Sequence, residues 1–125
     1  MEILFDRNHP KSLVEAIRLI QNLDLAEEHT VSFYDTSTND SDLHNPVLLR
    51  LDRHRKGIEP ATEILFESGF RVVAIKFPKQ EPDFFDLSLV VMGMWPKILE
   101  LLREKQTPFI YKCNGLLGRL IKVKE

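Results

Sequence analysis

Three aspartates, Asp6, Asp35 and Asp52, each follow directly on a short apolar stretch, and a polar loop after the second adds Asp40 and Asp42. If the apolar stretches are parallel strands, their carboxyl ends meet at one edge of a sheet and the carboxylates cluster there. Mutual repulsion is then relieved either by protonation of some carboxyls or by a hard divalent cation. Oxygen ligands with room for water favour Mg²⁺ or Mn²⁺.

Basic residues stand beside the acids. Arg7 follows Asp6, and Arg53, Arg55 and Lys56 follow the third aspartate in the densest basic cluster of the chain. A bound divalent cation lowers the pKa of a water and stabilises charge on a phosphate, and nearby arginines hold a phosphate backbone. The combination predicts hydrolysis of phosphodiesters, with these four basic residues holding the phosphate backbone of a nucleic acid.

Plainer explanations exist for the same residues. Asp6 could simply cap the helix that follows it. From Asp24 to Asp42 there are six acids and no Lys or Arg, which a solvated acidic face also explains. Zinc and nucleotide binding have no support in the sequence, because the four histidines have no paired ligand spacing and the five glycines are scattered. Cys113 is expected to be a small core residue rather than a nucleophile.

The elements that must position the acids follow from hydrophobic spacing. Strands alternate with helices, so right-handed crossovers predict parallel pairing. We therefore predict an α/β fold with three layers, α/β/α, a mostly parallel central sheet and a C-terminal β-hairpin turning at Asn114-Gly115. Pro96 is expected to begin a second helix or to kink the last one. The predicted strands are 3–5, 29–34, 47–51, 71–77, 109–113 and 117–123, and the helices are 10–27, 59–68 and 84–102.

Length and composition are typical of a globular, single-domain protein. The 125 residues (1–125) are expected to form a single domain, and the formal charge of −2 predicts no bulk attraction to nucleic acid or membrane. One cysteine and the lack of a signal-peptide pattern predict a cytoplasmic protein. The apolar stretch 87–95 is too short to span a bilayer, so no membrane association is expected.

The opening stretch, Phe5-Asp-Arg-Asn-His-Pro-Lys-Ser-Leu13, resembles the start of small PIN-like domains, in particular the short VapC-type toxin relatives. Further stretches resemble the same group in the same order along most of the chain. They are Leu49-Arg-Leu-Asp-Arg-His-Arg55, Glu67-Ser-Gly-Phe-Arg-Val-Val73, Trp95-Pro-Lys-Ile98, Thr107-Pro-Phe-Ile110 and Gly118-Arg-Leu120.

The resemblance implies an endoribonuclease of single-stranded RNA regions that uses Mg²⁺ or Mn²⁺ and pairs with an antitoxin protein. Asp6 and Asp52 would be the metal-site carboxylates, Asn8 a polar neighbour, and Asp35 and Asp42 would complete or tune the site. A homodimer is compatible with the apolar C-terminal tail.

The sequence departs from the PIN-like pattern at one place. In the family a helix bearing another site acid usually lies between the second and third strands, whereas here only Leu43-His-Asn-Pro46 separates Asp42 from the third strand. Two alternatives to the nuclease therefore stand. One is a PIN-like binding module without catalysis. The other is a receiver-type signalling domain, which requires adjacent acids after the first strand and a lysine at a late strand end.

Overall fold

The computed structural model describes residues 2–24, 29–35, 37, 43–52, 57–76, 83–114 and 118–125. Strands and helices alternate along most of this length. The elements are β1 (Glu2–Phe5), α1 (Lys11–Asp24), β2 (Thr30–Phe33), β3 (Val47–Asp52), α2 (Pro60–Glu67), β4 (Arg71–Lys76), α3 (Phe84–Glu104), β5 (Phe109–Asn114) and β6 (Leu120–Lys124).

The strands form one six-stranded sheet in the order β2-β1-β3-β4-β5-β6. The first five strands are parallel, and β6 pairs antiparallel with β5. Apolar side chains fill β3 and β4 almost continuously because both faces of these central strands are covered. The predicted α/β fold, its mostly parallel sheet and its C-terminal hairpin are confirmed.

The sheet has helices on both faces. On one face Ile3 and Phe5 of β1 pack in a large core with side chains of α1 and α3, including Ile17 and Ile98. The alternate strand residues, among them Leu4, Leu48 and Val72, face the other side, where Leu65 of α2 packs against them. This alternation follows from the period of two in a strand. The three predicted layers are therefore present.

Arg71 fixes the direction of α3 across the sheet. Arg71 is the first residue of β4, and its Nη1 donates to the carbonyls of Leu102 and Lys105 at 3.0 and 3.2 Å. The last turn of α3 therefore lies at the amino end of β4. Because the 21 residues of α3 span about 31 Å, against about 20 Å for β4, α3 begins beside the carboxyl ends of the strands.

Pro96 lies inside α3, so the interpretation that it begins a second helix is wrong. A mid-helix proline costs about 3 kcal/mol because a backbone hydrogen bond is lost. Buried residues on both sides of it, such as Val91 and Ile98, pack in the same core. Burial of each such side chain contributes about 2 kcal/mol, so continuous packing of both halves outweighs the loss.

The remaining differences are at element ends. Helix α1 starts one residue later than predicted, at Lys11, and Asp52 is the last residue of β3 rather than the first residue beyond it. Between β2 and β3 the described residues lie outside helices. None of the described helices is both long enough and apolar enough to cross a membrane.

Candidate functional site

Asp6 lies just beyond β1 and bonds to the neighbouring strand β3. Its backbone N–H donates to the carbonyl of Leu49 at 3.0 Å, and its Oδ2 accepts the N–H of Leu51 at 3.1 Å. The carboxylate thus takes the place of a backbone carbonyl where β1 has ended. Asp6 is only 7% exposed, so these bonds compensate for the loss of water around a buried charge.

The other oxygen of Asp6 binds the turn that leads into α1. Oδ1 accepts the N–H of Asn8 at 3.2 Å and lies 3.0 Å from Nδ1 of His9. Asn8 is therefore a polar neighbour through its backbone. The His9 side chain is fully buried, with its ring perpendicular to that of Phe5, and its Nε2 has no hydrogen-bond partner among the described residues. The sequence analysis considered only paired histidines and so did not assign His9 to the site. The position of His9 three residues after Asp6 could have indicated that the two side chains lie close together.

Asp52 is also buried, at 3% exposure, and it organises the start of α2. Its Oδ2 accepts the N–H of Glu59 at 3.2 Å. Its Oδ1 lies 3.9 Å from Nζ of Lys76, which is its register partner on β4 and also binds the carbonyl of Gly57. Lys76 is a second residue that sequence analysis did not assign to the site. Its place near the end of a predicted strand, like that of the aspartates, could have indicated that it lies at the same edge of the sheet.

Asp6 and Asp52 occupy the same end of the sheet, as predicted, on the directly paired strands β1 and β3. The five parallel strands have the order 2-1-3-4-5, in which the direction of winding reverses between β1 and β3. The chain goes to opposite faces of the sheet after these two strands, to α1 after β1 and to α2 after β3. In open α/β sheets ligands bind at such a switch point, and the two buried carboxylates lie beside it.

Asp35 follows β2 at the same end but is exposed. Its Oδ1 accepts the hydroxyl and the N–H of Ser37 at 2.7 and 2.9 Å. These bonds stabilise the carboxylate and lower the pKa of Asp35 below its usual value, with a smaller contribution from the charge of Arg7. The guanidinium of Arg7 also lies 5.7 Å from the centre of the Phe33 ring, so it stands beside the acids as predicted.

Several predicted site residues lie outside the described residues: Asp40, Asp42, Arg53, Arg55 and Lys56. Within the described part, no group of three or more His, Cys, Asp or Glu side chains is arranged to hold a metal ion. Cys113 is 1% exposed, and burial raises the pKa of its thiol. Its prediction as a core residue is confirmed.

The fold and this geometry define an α/β protein with two buried carboxylates at the switch point of a mainly parallel sheet. Searches with this sequence and structure found no matching family model, no matching curated protein and no matching solved structure.

Proposed function

We propose that this protein is a Mg²⁺- or Mn²⁺-dependent endoribonuclease, the toxin of a toxin–antitoxin pair that acts in the cytoplasm. One observation carries the proposal: Asp6 and Asp52 are buried carboxylates at the carboxyl ends of adjacent parallel strands, on either side of the switch point. Hydrogen bonds offset the burial of both carboxylates, and buried acids of this kind collect at functional sites.

The donor set fits a hard cation. Mg²⁺ is usually bound through one or two carboxylates and keeps several waters. Asp6 accepts three hydrogen bonds, whereas two carboxylate oxygens offer about four lone-pair directions, so Oδ2 retains capacity. Asp52 would supply the second carboxylate. When bound, the cation would lower the pKa of a water and stabilise charge on the phosphate.

The protein's own groups would bind and orient the RNA. Arg7 is exposed beside Asp35, and the cluster Arg53, Arg55 and Lys56 follows Asp52 along the chain. These cations would hold the phosphates of a single-stranded segment against this end of the sheet. Asp35 and Asp42 would tune the charge of the site. An antitoxin would cover the same end of the sheet and so block RNA access.

Calorimetric titration of Mn²⁺ into the intact protein tests the site. We expect saturable binding that both Asp6→Asn and Asp52→Asn abolish, because each variant removes half the carboxylate charge of the pair. Glu104→Gln, at an exposed acid in the last turn of α3 and so at the other end of the sheet, is the matched control and should bind Mn²⁺ like the unaltered chain. Cleavage of single-stranded RNA should disappear in the two site variants. Loss of Mn²⁺ binding in Glu104→Gln as well, or unchanged Mn²⁺ binding in either site variant, contradicts the proposal.

A binding module without catalysis is the second candidate, and one observation favours it. The oxygens of Asp6 and Asp52 already accept backbone N–H groups of Leu51 and Glu59, as purely structural carboxylates do. On this account the protein binds no Mn²⁺, and Asp6→Asn lowers stability without changing any ion affinity. A thermal unfolding midpoint that is the same with and without Mn²⁺ would support it.

The receiver-type alternative has one supporting contact. Lys76 stands at the end of β4, 3.9 Å from Asp52, and such domains transfer a phosphoryl group to a strand-end aspartate. The position next to Asp6, where a second acid is required, is occupied by Arg7. Incubation with a small phosphoryl donor such as acetyl phosphate distinguishes this class. Only a receiver would transfer the phosphoryl group to Asp52, with release of acetate, and form an acyl phosphate that hydroxylamine cleaves.

A further inference from the structure

Lys76 is held beside Asp52 by the register of two neighbouring strands. The two residues are partners at the carboxyl ends of β4 and β3, so their side chains lie on the same face of the sheet. Nζ of Lys76 stands 3.9 Å from Oδ1 of Asp52, and the two side chains are 14% and 0% exposed. Because little water screens charges in such a place, the ammonium acts strongly on this carboxylate.

A second contact fixes the position of the ammonium. Nζ of Lys76 also donates to the carbonyl of Gly57, a residue whose φ of 67° is a left-handed backbone conformation that favours glycine. Two residues later, the N–H of Glu59 donates to Oδ2 of Asp52 at 3.2 Å. Asp52, Lys76 and the start of α2 therefore form one connected group, in which the lysine is a cation with a defined position.

We propose that Lys76 is the resident counter-ion of Asp52 and that Mg²⁺ or Mn²⁺ binds this carboxylate by displacing the Lys76 ammonium. The exchange rests on the proposed function, in which Asp6 and Asp52 hold the cation. A buried carboxylate is costly unless a partner compensates for the lost water, and here the lysine supplies one positive charge. A divalent ion at the same carboxylate would meet that ammonium as a like charge at short range, so the two cations compete.

Lys76 thereby sets the affinity of the cation site without binding the ion itself. A divalent ion brings two charges where the ammonium brings one. It can also contact Asp6, since β1 and β3 are paired, whereas Lys76 stands on β4, two strands from β1. The lysine, however, is tethered to the chain, which keeps its effective concentration at Asp52 high. Displacing it therefore lowers the affinity of the site for any divalent ion.

Calorimetric titration of Mn²⁺ into the full chain and into Lys76→Met tests the exchange. Methionine keeps an apolar stem but removes the charge, so we expect the Kd for Mn²⁺ to fall at least about tenfold. Lys97→Met is the matched control. Lys97 also donates to a glycine carbonyl, that of Gly118, at 3.1 Å, but it lies on α3, on the other face of the sheet. The same change in net charge should there leave the Kd unaltered.

Chemical modification of the unaltered chain is a second measurement, which does not depend on the folding of a variant. Acetylation of Lys76 by acetic anhydride can be located by peptide mass spectrometry. It should be faster with saturating Mn²⁺ than without it, because a displaced amine is more accessible to the reagent. Lys97 should react at the same rate in both conditions.

The exchange and the nuclease fail separately. If the unaltered chain binds Mn²⁺ but Lys76→Met binds it no more tightly, and Lys76 is acetylated at one rate throughout, the exchange is overturned and the cation site stands. If only Lys76→Met binds Mn²⁺, the lysine holds the cation position permanently, which supports its role as counter-ion and overturns the nuclease. If neither chain binds Mn²⁺ and the acetylation rate does not respond to it, both are overturned.

Discussion

Nδ1 of His9 lies 3.0 Å from Oδ1 of Asp6, with the imidazole fully buried and the carboxyl side chain 10% exposed. The contact ties the turn before α1 to the end of β1. Because Oδ2 of Asp6 also binds the N–H of Leu51 on β3, this one carboxylate joins two strands and a helix start. His9 therefore holds the orientation of Asp6, and so contributes to any ion or substrate site that uses it.

His9→Ala should lower the free energy of unfolding by about 2–3 kcal/mol, because it leaves a cavity against Phe5 and removes a hydrogen bond to a buried carboxylate. Urea denaturation measures this loss. Ser12→Ala, an exposed substitution nearby on α1, is the control and should change stability by less than about 0.5 kcal/mol. Mn²⁺ affinity should fall in His9→Ala alone. Equal stability of the two variants would refute a structural role for the contact.

Arg71→Met should destabilise the protein by about 3 kcal/mol. The buried guanidinium donates to the carbonyls of Leu102, Lys105 and Asn45, and its loss leaves acceptors without partners at the end of α3. Burial lowers the pKa of Arg71, but a guanidinium stays charged at neutral pH. Arg103→Met, on the exposed side of the same helix, is the comparison in thermal and urea unfolding. A similar small effect in both would contradict this account.

Pro96→Ala should stabilise the protein by about 1–3 kcal/mol, because it returns an N–H to the middle of α3 and removes the clash of the ring with the preceding turn. Pro96 is exposed, so little packing is lost. Urea unfolding should be measured beside that of the neighbouring exposed substitution Lys97→Ala. A decrease in stability would mean that α3 is bent at Pro96 to fit the sheet.

Ser37→Ala should raise the pKa of Asp35 towards its ordinary value, since the hydroxyl bond is the largest cause of the depression and the backbone bond and Arg7 remain. A carboxyl whose folded pKa is depressed adds stability above its unfolded pKa and loses it as pH falls through the folded pKa. The contribution of Asp35 is therefore complete above its ordinary pKa of 3.8 and is lost as pH falls from there through the lower pKa of the folded protein. NMR titration of the side-chain carbonyl measures the shift, and an unchanged midpoint in Ser37→Ala would count against it.

Much of the fold follows from local pattern. The apolar stretches before Asp6, Asp35 and Asp52 are strands, and strand–helix alternation correctly places these three residues at one end of a parallel sheet. These positions can be predicted locally, because the spacing of apolar side chains indicates which face of a helix or strand is buried. Because crossovers between parallel strands are right-handed, only a few strand arrangements then remain possible. The antiparallel hairpin after Asn114 follows in the same way from a turn signal.

Other features depend on contacts between residues far apart in the chain. The pairing of Asp52 with Lys76 is set by the register of β3 on β4, and Leu51 reaches Asp6 only because β1 is the neighbour of β3. The continuity of α3 through Pro96 likewise reflects packing against the sheet.

The sequence by itself therefore determined the layers of the fold and the end of the sheet at which the aspartates gather. Tertiary structure alone decided which strands are neighbours, that His9 is buried against Asp6, and that α3 continues through Pro96. The physical reason is that the spacing of apolar residues is a property of each segment alone. Strand register and side-chain contacts, in contrast, arise only when segments distant in the chain pack together.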